Sequence, residues 1–259
     1  MEFSEYLSKS AKEIDREVEK ILNDYLKEAG KVDQKLIPLL TAFKESCQGG
    51  KRIRGVLVKL GYEVGSSKFK VQSSKLKEVL RVSAAYEIFH AAILAHDDIM
   101  DQSPRRRNQP SLYKKVGVSE AITLGDLGFF LAMKIISNAL FVKIALDTAI
   151  GQLLDLKKAN SLITARFKTA GYTIAGPLQL GASLAGANSK LLKLLGQFGE
   201  DLGIAFQIRD DILDKQETNL NKAEKYKNQA IKALPSITKD YKLNRLFTQM
   251  VEYMVERKK

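Results

Sequence analysis

Tryptophan is absent from this chain, cysteine occurs once, histidine twice and proline five times in 259 residues. The single thiol, Cys47, excludes an internal disulfide framework, and two histidines beside it leave little for a zinc or haem centre. That scarcity suits a reducing, cytoplasmic setting. No stretch approaches ~18 uncharged apolar residues, and the opening MEFSEYLSKSAKEIDREVEK lacks both the basic start and the apolar core of a signal peptide. The chain therefore reads as soluble, without a transmembrane segment. Alternating strand patterns, fixed-period repeats and low-complexity linkers are also missing.

What remains is helix. Apolar residues recur at helical spacing from Phe3, Tyr6, Leu7, Ile14, Val18, Ile21, Leu22 and Tyr25 through to Leu243, Leu246, Phe247, Met250, Val251 and Met254. Nothing marks a boundary, so one all-α domain over residues 1–259 is expected. Breakers divide it into about ten helices. Gly49-Gly50 and Gly65-Ser66-Ser67 punctuate the first part, SPRRRNQP is a loop, Gly125 opens a helix, and Gly171 and Gly176-Pro177 interrupt the middle.

A formal net charge of +12 implies an anionic partner. Nucleic acid is disfavoured, because the lysines are spread over many helix faces and no aromatic stacking platform accompanies them. Acids are concentrated instead in two places. HDDIMD carries Asp97, Asp98 and Asp101, and FQIRDDILD carries Asp210, Asp211 and Asp214. On a helix, Asp97 and Asp101 share one face. One such run is readily a solvated helix face. Two, each preceded by a run too apolar for a surface helix (AAILAH and LGIAFQI), are better explained as acids at the inner ends of buried helices. Oxyanions about 5 Å apart repel by about 3 kcal/mol at an effective dielectric of 20, so facing acidic runs need a cation. Mg²⁺ is the natural one, since it takes a few carboxylates and completes its shell with water and phosphate oxygens.

The basic elements have matching logic. GGKRIRG sets Lys51 and Arg54 three apart at a helix start, where free backbone N–H groups and flexible glycines suit an anion. Arg106 and Arg107 follow the first acidic run, and guanidinium forks hold phosphate bidentately. Lys168-Thr169 sits in an otherwise apolar helix, and His90 shares a face with Asp97. Each basic group has a solvated-turn alternative, and His90 is equally a hydrogen-bonded core histidine.

Taken in order, GGKRIRG, HDDIMDQSPRRRNQP, Gly125-Asp126, GQLLD, FKT and FQIRDDILD resemble the trans-isoprenyl diphosphate (polyprenyl) synthase family, from about Leu36 to Asp214. The resemblance implies an all-α bundle around a deep apolar cavity, usually a homodimer, that joins isopentenyl diphosphate head-to-tail to an allylic diphosphate. By that likeness Asp97, Asp98, Asp101, Asp210, Asp211 and Asp214 hold about three Mg²⁺ ions with bound diphosphate. Lys51, Arg54, His90 and Arg107 match the isopentenyl diphosphate site. Arg106, Lys168 and Gln207 match contacts to the allylic diphosphate, with Thr169 beside them. Asp97, Asp98, Asp101, Lys168 and Asp210 are the expected catalytic set.

The chain departs from the family after its second acidic run. A glycine- and lysine-containing loop is usual there, whereas DKQETNLNKAEKYKNQ passes almost directly into what resembles the terminal helices. Lys215 and Lys222 are stand-ins without motif support. A compact synthase, or a weakened or non-catalytic subunit of a heteromeric synthase, follows; a related terpene synthase is a further alternative. Asn108 stands where the family prefers glycine. Family members set product length by bulk upstream of the first acidic run. Here Ala92 and Ile93 occupy the near positions, with Phe89 and Tyr86 roughly 12 and 16 Å below Asp97, which predicts a C20 or somewhat longer product.

Overall fold

The computed structural model describes residues 1–66, 73–158, 161–213 and 220–256. They are helical almost throughout, as the apolar spacing requires. The helices are α1 (Phe3–Val32), α2 (Leu36–Ser46), α3 (Ile53–Gly65), α4 (Ser73–Met100), α5 (Leu112–Val116), α6 (Val118–Ile135), α7 (Ala139–Leu156), α8 (Ser161–Thr164), a π-helix (Ala165–Ala175), α9 (Gly176–Leu184), α10 (Ser189–Leu213), α11 (Leu220–Ile237) and α12 (Tyr241–Val255). Among the described residues the one β element is a hairpin of β1 (Arg105–Arg106) and β2 (Gln109–Pro110), antiparallel with Arg106 opposite Gln109. No described helix is long and apolar enough to cross a membrane.

The chain forms two compact units whose segments interleave in sequence. One comprises Met1–Ser8, Leu57–Val79 and Asn138–Lys259, the other Lys9–Val56 and Leu80–Ser137. In the second, Ile14, Val18, Ile21 and Leu22 of α1, Leu40 and Phe43 of α2, and Val82, Ala85, Tyr86 and Ile88 of α4 are buried. Each large apolar side chain removed from water contributes on the order of 2 kcal/mol. Gly125 lies inside α6, whose start at Val118 is seven residues earlier than the glycine suggested. The reason is contact: the α6 backbone at Gly125 carries the ring of His96.

In the first unit α10 is central. Phe198 packs edge-on to Phe247 of α12 with centroids 5.3 Å apart, and Ile204 and Ile208 meet Ala223 of α11. The expected interruption at Gly171 and Gly176-Pro177 is corrected to a widening. Gly176 N–H donates to the Gly171 carbonyl five residues back, and Pro177 has no N–H with which to restore the tighter α-helical pattern. The helix continues through this segment, carrying Lys168 and Thr169.

α3 and α9 cross at backbone contact. A Cβ at Gly61 would lie 2.1 Å from the Leu178 carbonyl oxygen, and one at Gly181 would lie 1.8 Å from that of Val58. Gly181→Ala must therefore push two helices apart. We expect a loss of about 3 kcal/mol and a thermal midpoint roughly 10 °C lower; a midpoint within 2 °C of the parent would rule out this crossing.

Candidate active site

α4 delivers the first acidic run at its C-terminal end. The helix formally stops at Met100, yet Asp101 N–H still donates to the Asp97 carbonyl at 2.8 Å, so the two carboxylates remain one turn apart on one face. Asp97 is half-buried and Asp101 exposed. Asp98 is buried and points elsewhere: its Oδ1 accepts from Nε of Arg106 at 2.9 Å and also from Nη2 of the same guanidinium.

The SPRRRNQP loop is built as a hairpin because Arg107 and Asn108 both take positive φ, 51° and 63°. This is the two-residue turn that matches strand twist, and it favours glycine or asparagine at such positions. Asn108 therefore meets the same backbone requirement as glycine. The turn sends the two neighbouring arginines apart. Arg106 goes to Asp98, while Arg107 Nη1 donates to the carbonyls of Gln48 at 2.6 Å and Gly49 at 2.9 Å. Gly50, at φ 86°, lies so close beneath Arg107 that a Cβ there would sit 2.8 Å from Nη2.

The expectation that Lys51 and Arg54 share a face in a first helical turn is corrected. α3 starts at Ile53, and Arg52 just ahead of it has φ 54°, so Lys51 belongs to the loop and only Arg54 to the helix. Arg52 is buried, donating to Asp15 Oδ1 at 2.6 Å and to the Cys47 carbonyl at 2.7 Å, with Glu87 of α4 at 3.7 Å. Glu87 in turn accepts from Gly55 N–H at 2.8 Å.

Arg54 Nη1 lies 3.2 Å from His90 Nε2. A guanidinium only donates, so Nε2 accepts and the histidine proton sits on Nδ1. Burial above all, and then the positive charges of Arg54, Arg107, Arg106 and Arg52, hold the imidazole pKa well below its ordinary value. His90 is thus a neutral member of a cationic cluster.

The other acidic run ends α10. Thr169 Oγ1 donates to Gln207 Oε1 at 2.9 Å, and Gln207 Nε2 donates to Asp211 Oδ1 at 2.7 Å, forming one polar chain from the π-helix to the acid. Asp210 and Asp211 are half-buried. Lys168, one residue before Thr169, pairs with Asp155 of α7 at 2.5 Å. Asp214 and Lys215 lie outside the described residues, and Lys222 is in the first turn of α11.

Among the described residues no three His, Cys, Asp or Glu side chains converge to hold a metal ion by themselves. The donor set still fits Mg²⁺, which is commonly held by one or two carboxylates while water and phosphate oxygens fill its octahedron.

The sequence model of the family described as Polyprenyl synthetase matches residues 38–237. The chain belongs to that family. A geranylfarnesyl diphosphate synthase from Methanosarcina mazei is 33% identical over 71% of this chain and 64% of its own length. Heptaprenyl diphosphate synthase component 2 from Geobacillus stearothermophilus is 30% identical over 81% of this chain and 65% of its own. The matches therefore span less than two thirds of these relatives. A crystal structure of geranylgeranyl pyrophosphate synthase from Corynebacterium glutamicum, complexed with isoprenyl diphosphate and magnesium, shares the fold with a TM-score of 0.86 over 100% of both chains at 20% identity. The fold is thus the all-α isoprenoid synthase bundle.

Sequence reasoning assigned no role to Arg52, Glu87, Asp155 or Phe129. GQLLD contains Asp155 and its position in the motif was a usable signal; Glu87 gave none, since a glutamate on a long helix reads as surface. Of the product-length candidates, Tyr86 and Ile93 lie within about 40° of Asp97 around α4, whereas Phe89 and Ala92 are rotated about 80° and 140° away. Phe89 instead packs on Phe129 of α6 with centroids 5.4 Å apart, and edge-on to the fully buried Tyr86 at 6.0 Å.

The depressed His90 pKa has a defined sign. Below its ordinary value of 6.5 the unfolded chain takes up a proton that the folded chain refuses, so this contribution to stability is present above that pH and is lost as pH falls. Replacing His90 by Gln should flatten the acid limb of unfolding free energy below pH 6.5, by up to about 1.4 kcal/mol per pH unit. Equal slopes for the two proteins in denaturant titrations would refute the neutral assignment.

Proposed function

We propose that this chain is a Mg²⁺-dependent prenyltransferase that condenses isopentenyl diphosphate with an allylic diphosphate, head to tail, into an all-trans prenyl diphosphate of C20 or somewhat longer. The observation that carries the reading is that the family match at 38–237 contains the whole expected set, both acidic runs and every basic group, in family order. The names of the relatives agree: geranylfarnesyl and geranylgeranyl diphosphate synthases are among them.

Asp97, Asp101, Asp210 and Asp211, with Asp98 and Asp214 in support, would hold Mg²⁺, which neutralises the charge developing on the departing diphosphate. Arg106, already drawn beside the acids by Asp98, and Lys168, drawn by Asp155, supply further positive charge to the allylic diphosphate. Thr169 and Gln207 align there through their hydrogen bond. Lys51, Arg54 and Arg107 hold the second diphosphate, with neutral His90 accepting from Arg54 so that the guanidinium keeps its direction. Holding both substrates converts an encounter into an oriented reaction, and apolar walls keep water from the allylic cation. The proton then lost passes to the released diphosphate. The site residues, a homodimeric assembly, a single domain over 1–259 and a cytoplasmic setting belong to the same proposal.

Incubation of the purified chain with Mg²⁺, isopentenyl diphosphate and, in turn, C5, C10 and C15 allylic diphosphates tests it directly. Asp97→Ala and Asp210→Ala should each abolish turnover with helix content unchanged, and near-parent rates would sink the reading. The name of the Geobacillus relative, a component, motivates a second reading as part of a heteromeric synthase. A chain inactive alone and active only when mixed with another subunit would favour it. For product length, Tyr86→Ala should lengthen the product, since Tyr86 is the buried aromatic nearest the face of Asp97, with Phe89→Ala acting more weakly. An unchanged product from both would remove them as the floor.

A further inference from the structure

Asp97 stands between two residues held from different sides. Asp98 is tied to Arg106 by two guanidinium contacts. On the other flank His96 is seated on α6. A Cβ at Gly125 would lie 2.3 Å from its Cε1 and 2.6 Å from Nδ1, so the imidazole rests directly on the α6 backbone. Phe129 stacks on it at 5.2 Å with an interplanar angle of 13°. Nδ1 donates to the Ala92 carbonyl at 3.0 Å, one turn back, and Nε2 lies 3.2 Å from Asp126 Oδ1. Backbone, ring face and both nitrogens are all engaged.

Successive helix positions are about 100° apart, so His96 and Asp98 project on either side of Asp97. Fixing both neighbours fixes the Cα–Cβ direction of the residue between them, in a terminal turn that would otherwise fray. We infer that Asp126, on the glycine seat of α6, is a positioning residue for the first acidic run: it anchors His96, and His96 sets the direction in which Asp97 presents its carboxylate to Mg²⁺. Asp126 touches neither metal nor substrate in this scheme. Its side chain is 48% exposed, so removing it opens no cavity, and a packing role alone would leave metal affinity unaltered. The inference rests on the prenyltransferase reading, since it concerns the metal that reading requires.

The test needs no turnover. Mn²⁺, as a paramagnetic stand-in, is titrated into the full chain with inorganic diphosphate and followed by electron paramagnetic resonance, with circular dichroism as a control on folding. Asp126→Ala and His96→Ala should each weaken Mn²⁺ binding by about tenfold, the usual scale for groups that orient a metal ligand. The double variant should be no weaker than either single one, because both act through one ring. Asp126→Asn, which keeps an acceptor oxygen, should stay within about twofold of the parent. Gly125→Ala, which displaces the ring while leaving Asp126 and His96 in place, should match the alanine variants, and it decides the matter if Asp126→Ala does not fold. Parent-like Mn²⁺ affinity in folded Asp126→Ala or Gly125→Ala overturns the inference, as do multiplying losses in the double variant. A parent chain that takes up no Mn²⁺ with diphosphate is a different result: it sinks the prenyltransferase reading, and the inference with it.

Discussion

A carboxylate buried in the middle of a helix organises the basic cluster around Arg54 and His90. Glu87 is 4% exposed on α4, where an unpaired charge would be strongly destabilising. Two partners answer it: Gly55 N–H from the first turn of α3, and the buried guanidinium of Arg52 just before that turn. Displacing either partner would leave one carboxylate oxygen without that contact. The junction of loop and helix at residues 52–55 is consequently fixed against α4, and the contact between Arg54 and His90, one turn along, follows from it.

The same pairing sorts the cations. Arg52, with Asp15 and Glu87 around it, is a structural ion; Arg106 is directed by Asp98, and Arg107 by carbonyl oxygens. A cluster of this sign is tolerable because the histidine within it stays neutral. The polar chain from Thr169 through Gln207 to Asp211 gives the other acidic run its order through neutral hydrogen-bonding groups.

Much of this was legible in sequence. Apolar spacing gave the helices, and the same local periodicity placed Asp97 and Asp101 on one face of α4. Features that depend on long-range contact were not legible. The π-helix depends on how a glycine and a proline are resolved within a packed segment. Lys51 reads as helical until the positive φ of Arg52 is known, and Gly125 reads as a breaker until its neighbour on α4 is known. Glu87 is invisible to periodicity, since its partners are 32 and 35 residues away, whereas Asp155, 13 residues from Lys168, is marked only by its place in GQLLD.

The hairpin at Arg105 to Pro110 has a consequence for how the two arginines are told apart. Arg106 belongs to the strand and Arg107 to the turn itself, so it is the pairing of Arg106 with Gln109, and the two-residue turn that closes it, that gives each guanidinium its own destination. The arginines are addressed by register and not by rotamer. One residue gained or lost between Arg106 and Gln109 would undo that address while leaving every arginine in the sequence.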